Sequence, residues 1–226
     1  MLSQDTLLRV ARVYDEEKYP DDPYLECLEI LRSARRVDEQ LRFAVRCLFY
    51  WKLGKLSTKP TPSSTPLAYC DRQGRHYHCI NMTRANRHAI AQAVATETLG
   101  AAMRFRDGLL PYEKLKLQAK GLTSSSIVLP AFYVHIWRPS EYPILDQNVW
   151  RVYCKEPGTK SVGGTRGPAT WEDYEAYTAF FWAVVARTKL DWRTVDRALW
   201  VLGGSKGSCR RPKPSPVASR SAQARP

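Results

Sequence analysis

Apolar side chains recur at helical spacing along almost the whole chain, and a polar capping residue stands where most of these series begin. Ser3 precedes Leu7, Leu8, Val10, Ala11 and Tyr14, a first helix that Pro20 interrupts. Asp22-Pro23 opens a second, with proline at the first helical position and Leu25, Leu28, Ile30 and Leu31 along it. Asp38 opens a third through Leu41, Ala44, Val45, Leu48 and Trp51 to Gly54, with one core-facing side. Residues 57–67 read as a loop rich in Ser, Thr and Pro, and 68–80 as a short hairpin or irregular excursion around Gly74. One longer helix is predicted from Asn81 or Thr83 through Ile90, Ala93, Val94, Thr98 and Ala102 to near Gly108.

Pro111 then opens a short basic helix carrying Lys114, Lys116 and Lys120. The turn Gly121-Leu122-Thr123-Ser124-Ser125-Ser126 feeds an apolar helix from Ile127 to Trp137, which Arg138-Pro139 ends. Pro143-Ile144-Leu145-Asp146 is predicted to be extended, with Asp146 capping a helix from Gln147 to Cys154. A Gly-rich loop covers 157–167. Thr170 and Asp173 form a capping box for a helix to Arg187, and Asp191 caps a last helix that Gly203 stops. The pattern predicts an all-α fold of eight or nine helices, with room for a short β-hairpin near 68–80. Residues 1–203 form the helical domain, and the Ser-, Pro- and Arg-rich stretch 204–226 reads as a disordered tail.

Charge sharpens this picture. The 226-residue chain carries a net charge of +13, unevenly placed. Residues 1–40 hold six basic and ten acidic side chains, whereas 41–160 hold eighteen and seven. A basic middle and tail suit a polyanion, DNA above all. There is no apolar run long enough for a membrane span and no secretion signal at Met1-Leu2-Ser3-Gln4-Asp5, so a cytoplasmic, DNA-associated bacterial protein is expected, monomeric and without cofactor. The six scattered cysteines argue against a disulfide framework. Cys70, His76, His78 and Cys79 have ligand chemistry but no zinc-finger spacing, and read as buried cysteines with surface histidines rather than a metal site.

The stretch 112–153 carries the chemistry. A helix N-terminus after a polar turn presents unpaired N–H groups to a phosphate, and Ser124, Ser125 and Ser126 add hydroxyls close to the three lysines. On geometry alone this is also an ordinary helix–turn–helix connection, and Asp146 an ordinary N-cap. The segment Pro143-Ile144-Leu145-Asp146-Gln147-Asn148-Val149-Trp150-Arg151-Val152 resembles the catalytic-aspartate motif of the helix-hairpin-helix DNA glycosylases. Counting back, the family's hairpin Leu-Pro-Gly-Val-Gly falls on Leu122-Thr123-Ser124-Ser125-Ser126, so the resemblance covers about 35 residues around the motif. It implies a two-lobed helical domain with one cleft. Both hairpin glycines are serine here, a residue that tolerates positive φ poorly. The lysine of strand-cleaving members is replaced by Val128, and the cysteine cluster of the iron–sulfur members is missing, so the resemblance is to a monofunctional branch.

That resemblance implies hydrolysis of the N-glycosidic bond of a flipped-out base, leaving an abasic site. Asp146 is the implied catalytic carboxylate, stabilising an oxocarbenium-like sugar and positioning or deprotonating water. Leu122, Thr123, Ser124, Ser125, Ser126, Lys114, Lys116, Lys120, Asn148 and Arg151 are candidate DNA contacts. Tyr50, Trp51, Lys52, Tyr133, His135 and Trp137 are candidates for the base pocket. Oxidised purines, alkylated bases and hypermodified phage bases are all candidate substrates, in repair or in phage defence. A non-catalytic DNA-binding protein that retained the fold, and a helical interaction protein with a basic tail, are the alternatives.

Overall fold

The computed structural model of the chain describes residues 2–14, 19–62, 64–122, 126–159 and 167–204. Among them are ten α-helices and one three-stranded sheet. The helices are α1 (Gln4–Ala11), α2 (Asp21–Ser33), α3 (Glu39–Lys52), α4 (Arg84–Ala93), α5 (Thr96–Arg106), α6 (Tyr112–Ala119), α7 (Val128–Trp137), α8 (Gln147–Tyr153), α9 (Trp171–Thr188) and α10 (Trp192–Gly204). The strands are β1 (Leu56–Ser57), β2 (Thr65–Cys70) and β3 (His76–Cys79). The fold is all-α with a small β excursion, and no described helix is long and apolar enough to cross a membrane.

Local capping sets most helix starts. The side chains of Ser3, Asp38, Thr83 and Asp146 accept from backbone N–H groups in the first turns of α1, α3, α4 and α8. Thr170 and Asp173 make a reciprocal capping box on α9, and Asp191 Oδ1 accepts from Thr194 N at 2.9 Å at the start of α10. The second helix starts earlier than the sequence suggests: Pro20 is its N-cap, which places Pro23 in the first turn, where no N–H is required.

Two expectations about helices need correction. The single helix predicted over 81–108 is two, α4 and α5, broken at Val94-Ala95. The break is held from outside: the Arg42 guanidinium on α3 donates to the Val94 carbonyl, and to Thr96 Oγ1 at 2.9 Å. Gly203 does not stop α10, which runs on to Gly204. Its role is close approach, because a Cβ at Gly203 would lie 1.8 Å from the Asn148 carbonyl oxygen on α8.

The predicted loop over 57–67 is trimmed at both ends by strand. The sheet has the order β1-β3-β2, antiparallel throughout, with an irregularity in β2 between Pro66 and Cys70. Asp71 organises the β2–β3 turn. Its carboxylate accepts from the backbone N–H of Gln73 and Arg75, from Arg75 Nε at 2.7 Å and from Tyr77 Oη at 2.9 Å. Burial alone would raise its pKa; the hydrogen bonds from Arg75 and Tyr77 outweigh that and hold it below the usual aspartate value. The tip then docks on the acidic ridge of α2, with Gln73 and Arg75 on Asp22 and Arg72 on Glu26 and Glu29.

Buried apolar side chains from every helix join one continuous core. At its centre is α7, with nine of its ten residues buried, against α2, α5 and α6. Against this core, α10 packs along both α8 and α1, bringing the first and last described helices together.

Gly203→Ala is the sharpest test of that packing. In an exposed helix the change would stabilise by about 1 kcal/mol. Here the clash dominates, and we expect a net loss of about 2 kcal/mol or more, read as a fall of several degrees in the midpoint of thermal unfolding. An unchanged or raised midpoint would show that α10 does not lie against the Asn148 backbone.

Candidate functional site

Asp146 sits at the end of an extended segment that has no sheet partner, so its backbone carbonyls must find partners elsewhere. Side chains supply them. Trp182 Nε1 donates to the Glu141 carbonyl at 2.7 Å, His135 Nδ1 to Tyr142 at 2.5 Å, Tyr174 Oη to Pro143 at 2.9 Å and Tyr177 Oη to Ile144 at 3.2 Å. Because His135 Nδ1 faces a carbonyl it carries the proton there, which leaves Nε2 to accept from Tyr24 Oη at 2.5 Å. Burial holds this imidazole neutral, with its pKa depressed to about 3.

The segment delivers Asp146 with its two oxygens in different roles. Oδ1 accepts from the backbone N–H of Asn148 and Val149, at 2.8 and 3.0 Å, and so caps α8. Oδ2 lies 3.5 Å from Lys52 Nζ, from the end of α3. The Lys52 side chain is 5 % exposed and lies over the Phe132 ring, whereas the Asp146 side chain is 21 % exposed.

Two cavities meet at this pair. One, of about 230 Å³, is an aromatic chamber walled by Tyr14, Tyr19, Trp51 and Trp200, with Asp146, Asn148 and Asp196 on its polar side. Its walls interlock edge to face: Tyr14 and Tyr19 meet Trp200 at centroid distances of 5.5 and 5.2 Å, and Tyr19 meets Trp51 at 6.0 Å. The other is a groove of about 1030 Å³ lined by α4, the turn at 120–122, the start of α7 and Gly167–Ala169. Lys52, His88 and Lys120 lie along it, and Asp146 is the one carboxylate among its described lining residues. Asp146, Lys52 and Gln147 belong to both cavities.

Beneath the chamber lies a buried charge cluster. Arg193 Nη1 donates to Asp196, and its Nη2 to Asp21 Oδ1 at 2.6 Å and Tyr14 Oη at 3.2 Å; Arg197 donates to Asp21 Oδ2. The Arg193 guanidinium also lies over the rings of Tyr14, Tyr24 and Trp51. Asp196 is 4 % exposed, and its pKa is raised to about 6: burial raises it most, the Arg193 charge opposes, and the neighbouring Asp146 charge raises it further.

The structure brings together only part of the residue set expected from sequence. Trp51 and Lys52 line the cavities with Asp146, and so do Leu122, Ser126, Lys120 and Asn148. Ser126 Oγ is engaged by the Val128 N–H at 3.2 Å. Thr123, Ser124 and Ser125 lie outside the described residues. Lys114 is exposed, away from both cavities. Lys116 is not free for a phosphate: it is clamped by Glu113 and Glu175, the latter at 2.7 Å, above the rings of Tyr112 and Trp171. Arg151 turns inward to Asn148 Oδ1 and the Gly203 carbonyl, tying α8 to α10.

The expected base-pocket residues on α7 are core instead. Tyr133 is fully buried with its hydroxyl on the Thr98 carbonyl, His135 holds the connector, and Trp137 lines a separate cavity beside Arg106 and Arg138. A helix apolar on all sides is buried on all sides, so none of the three reaches the chamber. Tyr50 points to Cys79 on the sheet; burial raises its pKa, and the Cys79 contact raises it further. Sequence reasoning passed over Tyr14, Tyr19, Trp200 and Asp196. One signal existed for Asp196, a carboxylate on the apolar face of α10 between Val195 and Leu199. Among the described residues no group of His, Cys, Asp and Glu could hold a metal; His76, His78 and Cys79 form none, and the Cys70 side chain lies outside them.

Comparison of the chain with protein-family models, with curated proteins and with solved structures finds no match. The site's own chemistry therefore carries the functional argument.

The two roles of Asp146 separate by mutation. Asparagine caps a helix about as well as aspartate, and alanine does not. Asp146→Ala should lose about 1 kcal/mol in denaturant unfolding, with Asp146→Asn within about 0.5 kcal/mol of wild type. Equal losses in both variants would show that the ion pair with Lys52, rather than the cap, is what stabilises.

Proposed function

We propose that the protein is a monofunctional DNA glycosylase, hydrolysing the N-glycosidic bond of a flipped-out base with Asp146 as the catalytic carboxylate. One observation carries this reading: Asp146 lines both a small aromatic chamber and a broad groove whose other described charged lining residues are basic. A base cannot be reached within a duplex, so a glycosylase needs a backbone groove, a chamber for the extruded base and a carboxylate at the junction, where the sugar lies. The chamber is smaller than a typical small-molecule pocket and suits one flat heterocycle between aromatic walls. The groove offers Lys120, His88 and the Ser126 hydroxyl to a backbone.

The resemblance of residues 143–152 to the aspartate motif of the helix-hairpin-helix glycosylases agrees with this reading, and Asp146 lies at a helix start after an extended run, as that motif requires. In the mechanism, the C1′–N bond weakens and positive charge grows on the sugar. The Asp146 carboxylate stabilises that charge and takes a proton from the attacking water. Lys52, beside it, pairs with the carboxylate at 3.5 Å and fixes the direction of Oδ2. With Val128 at the position where strand-cleaving relatives of the motif carry lysine, the product is an intact strand with an abasic site.

The second reading, a DNA-binding protein without catalysis, draws on the same carboxylate. Capping α8 and pairing with Lys52 already give both oxygens of Asp146 a structural role. Incubation with oligodeoxynucleotides and phage genomic DNA carrying modified bases, with mass detection of released base, separates the two. Wild type should release base and give strand breaks only after alkali; Asp146→Asn should lose at least about a thousandfold in rate while DNA affinity stays within a few-fold. Binding without release by wild type would establish the non-catalytic reading.

A further inference from the structure

Asp196 is a second carboxylate in the aromatic chamber, delivered by α10 rather than by the motif segment. It is buried, its Oδ2 is engaged by Arg193, and the charge of Asp146 acts on it across the chamber. We propose that Asp196 is the acid of this site, protonating the base as it leaves, and that the chamber therefore takes neutral bases rather than cationic N-alkylated purines. The proposal rests on the glycosidic reading above and deepens it.

The balance of the step is simple. The electron pair of the C1′–N bond departs with the base. The Asp196 carboxyl gives its proton to a ring nitrogen or carbonyl oxygen of that base, and becomes a carboxylate. Water adds its oxygen to C1′ and passes a proton to Asp146. Exchange with solvent resets both groups. A neutral base needs the donated proton because it would otherwise leave as an anion. A cationic alkylated purine leaves as a neutral molecule and needs none.

Charge selects in the same direction. Lys52 and Asp146 pair with each other, and at the chamber floor Arg193 and Arg197 face Asp21 and Asp196. With Asp196 protonated this cluster carries one excess positive charge, which favours a leaving group gaining negative charge and repels a cation. The electron-rich faces of Tyr14 and Trp51, which would otherwise attract a cationic base, already lie under the Arg193 guanidinium at 5.4 and 5.2 Å. Two carboxylates in one chamber with different surroundings are how a protein divides acid from base work.

The groups facing Asp196 are Arg193 and Arg197 on its own helix, Lys52 from α3, Asp146 at α8, Tyr14 beyond α1, Asp21 and Tyr24 on α2, and Tyr177 on α9. Desolvation among them leaves the carboxyl protonated up to about pH 6. Its acid function is therefore present below that pH and is lost as pH rises through it.

The experiment has two arms. In the first, the free protein is labelled with [γ-13C]aspartate and titrated by NMR. One carboxyl resonance should titrate near pH 6 and be missing from Asp196→Asn; the lack of any such resonance overturns the proposal, whatever the protein does to DNA. In the second, single-turnover release is followed from oligodeoxynucleotides carrying uracil, 5-fluorouracil, 8-oxoguanine, hypoxanthine or 7-methylguanine. Wild type should release a neutral base, at a rate that falls as pH rises through about 6.

Asp196→Asn should lose at least about a hundredfold on uracil and about tenfold or less on the better leaving group 5-fluorouracil, without that fall in rate. Asp196→Glu should restore the pH dependence, which guards against a mere folding defect. Equal slowing on every base, or preferred release of 7-methylguanine by wild type, overturns the acid role and leaves the glycosidic reading standing. Release of no base by wild type removes the glycosidic reading and this one with it.

Discussion

Four carbonyls in a row, from Glu141 to Ile144, are held by side chains rather than by a neighbouring strand. An extended segment entering a helical core cannot leave the carbonyls of the buried Pro143 and Ile144 unpaired, since each unsatisfied buried carbonyl costs about 1–3 kcal/mol. The donors come from α7 and α9, so the path of the segment is fixed by two helices at once. Its end is Asp146. Because the cap on Asn148 and Val149 then orients Oδ1, Oδ2 is left toward Lys52 and the cavities. The position of one carboxylate thus depends on aromatic hydrogen-bond donors spread over two other helices.

The second constraint is Arg193, a guanidinium inside a core. It is tolerated because Asp196, Asp21 and Tyr14 accept its hydrogen bonds, and three aromatic faces surround it. Removal of one partner from such a network typically costs 3–5 kcal/mol. The network joins α10 to α2 and to the end of α1, and the Gly203 contact sets α10 against α8. The excess of acid in the first forty residues now has an explanation. Asp21, Asp22, Glu26 and Glu29 are internal partners for Arg193, Arg197, Arg72, Arg75 and Gln73.

What could be read from the sequence is what local chemistry decides. The caps at Ser3, Asp38, Thr83, Asp146, Thr170 and Asp191 need only neighbouring backbone, and they stand where the sequence puts them. The break at Val94-Ala95 depends on Arg42, fifty residues away, and so leaves no local mark. The junction of Asp146 with Trp51 and Lys52 was partly legible through the motif, whereas the rest of the chamber was not. Tyr14 and Tyr19 lie about 180 residues before Trp200 and meet it only once α1 and α10 pack. The aromatics of α7 misled because a ring serves a core and a pocket equally well; the apolar character of that helix on every side was the better guide.

The claim at the centre is that Asp146 stabilises positive charge on a sugar, and it can be tested without knowing the base. The measurement is the affinity for an oligodeoxynucleotide carrying a cationic pyrrolidine abasic analogue, relative to one carrying the neutral tetrahydrofuran analogue, in wild type and in Asp146→Asn. Wild type should prefer the cation by at least about a hundredfold, a preference lost in the variant. Equal affinity of the wild-type protein for the two oligonucleotides would contradict it.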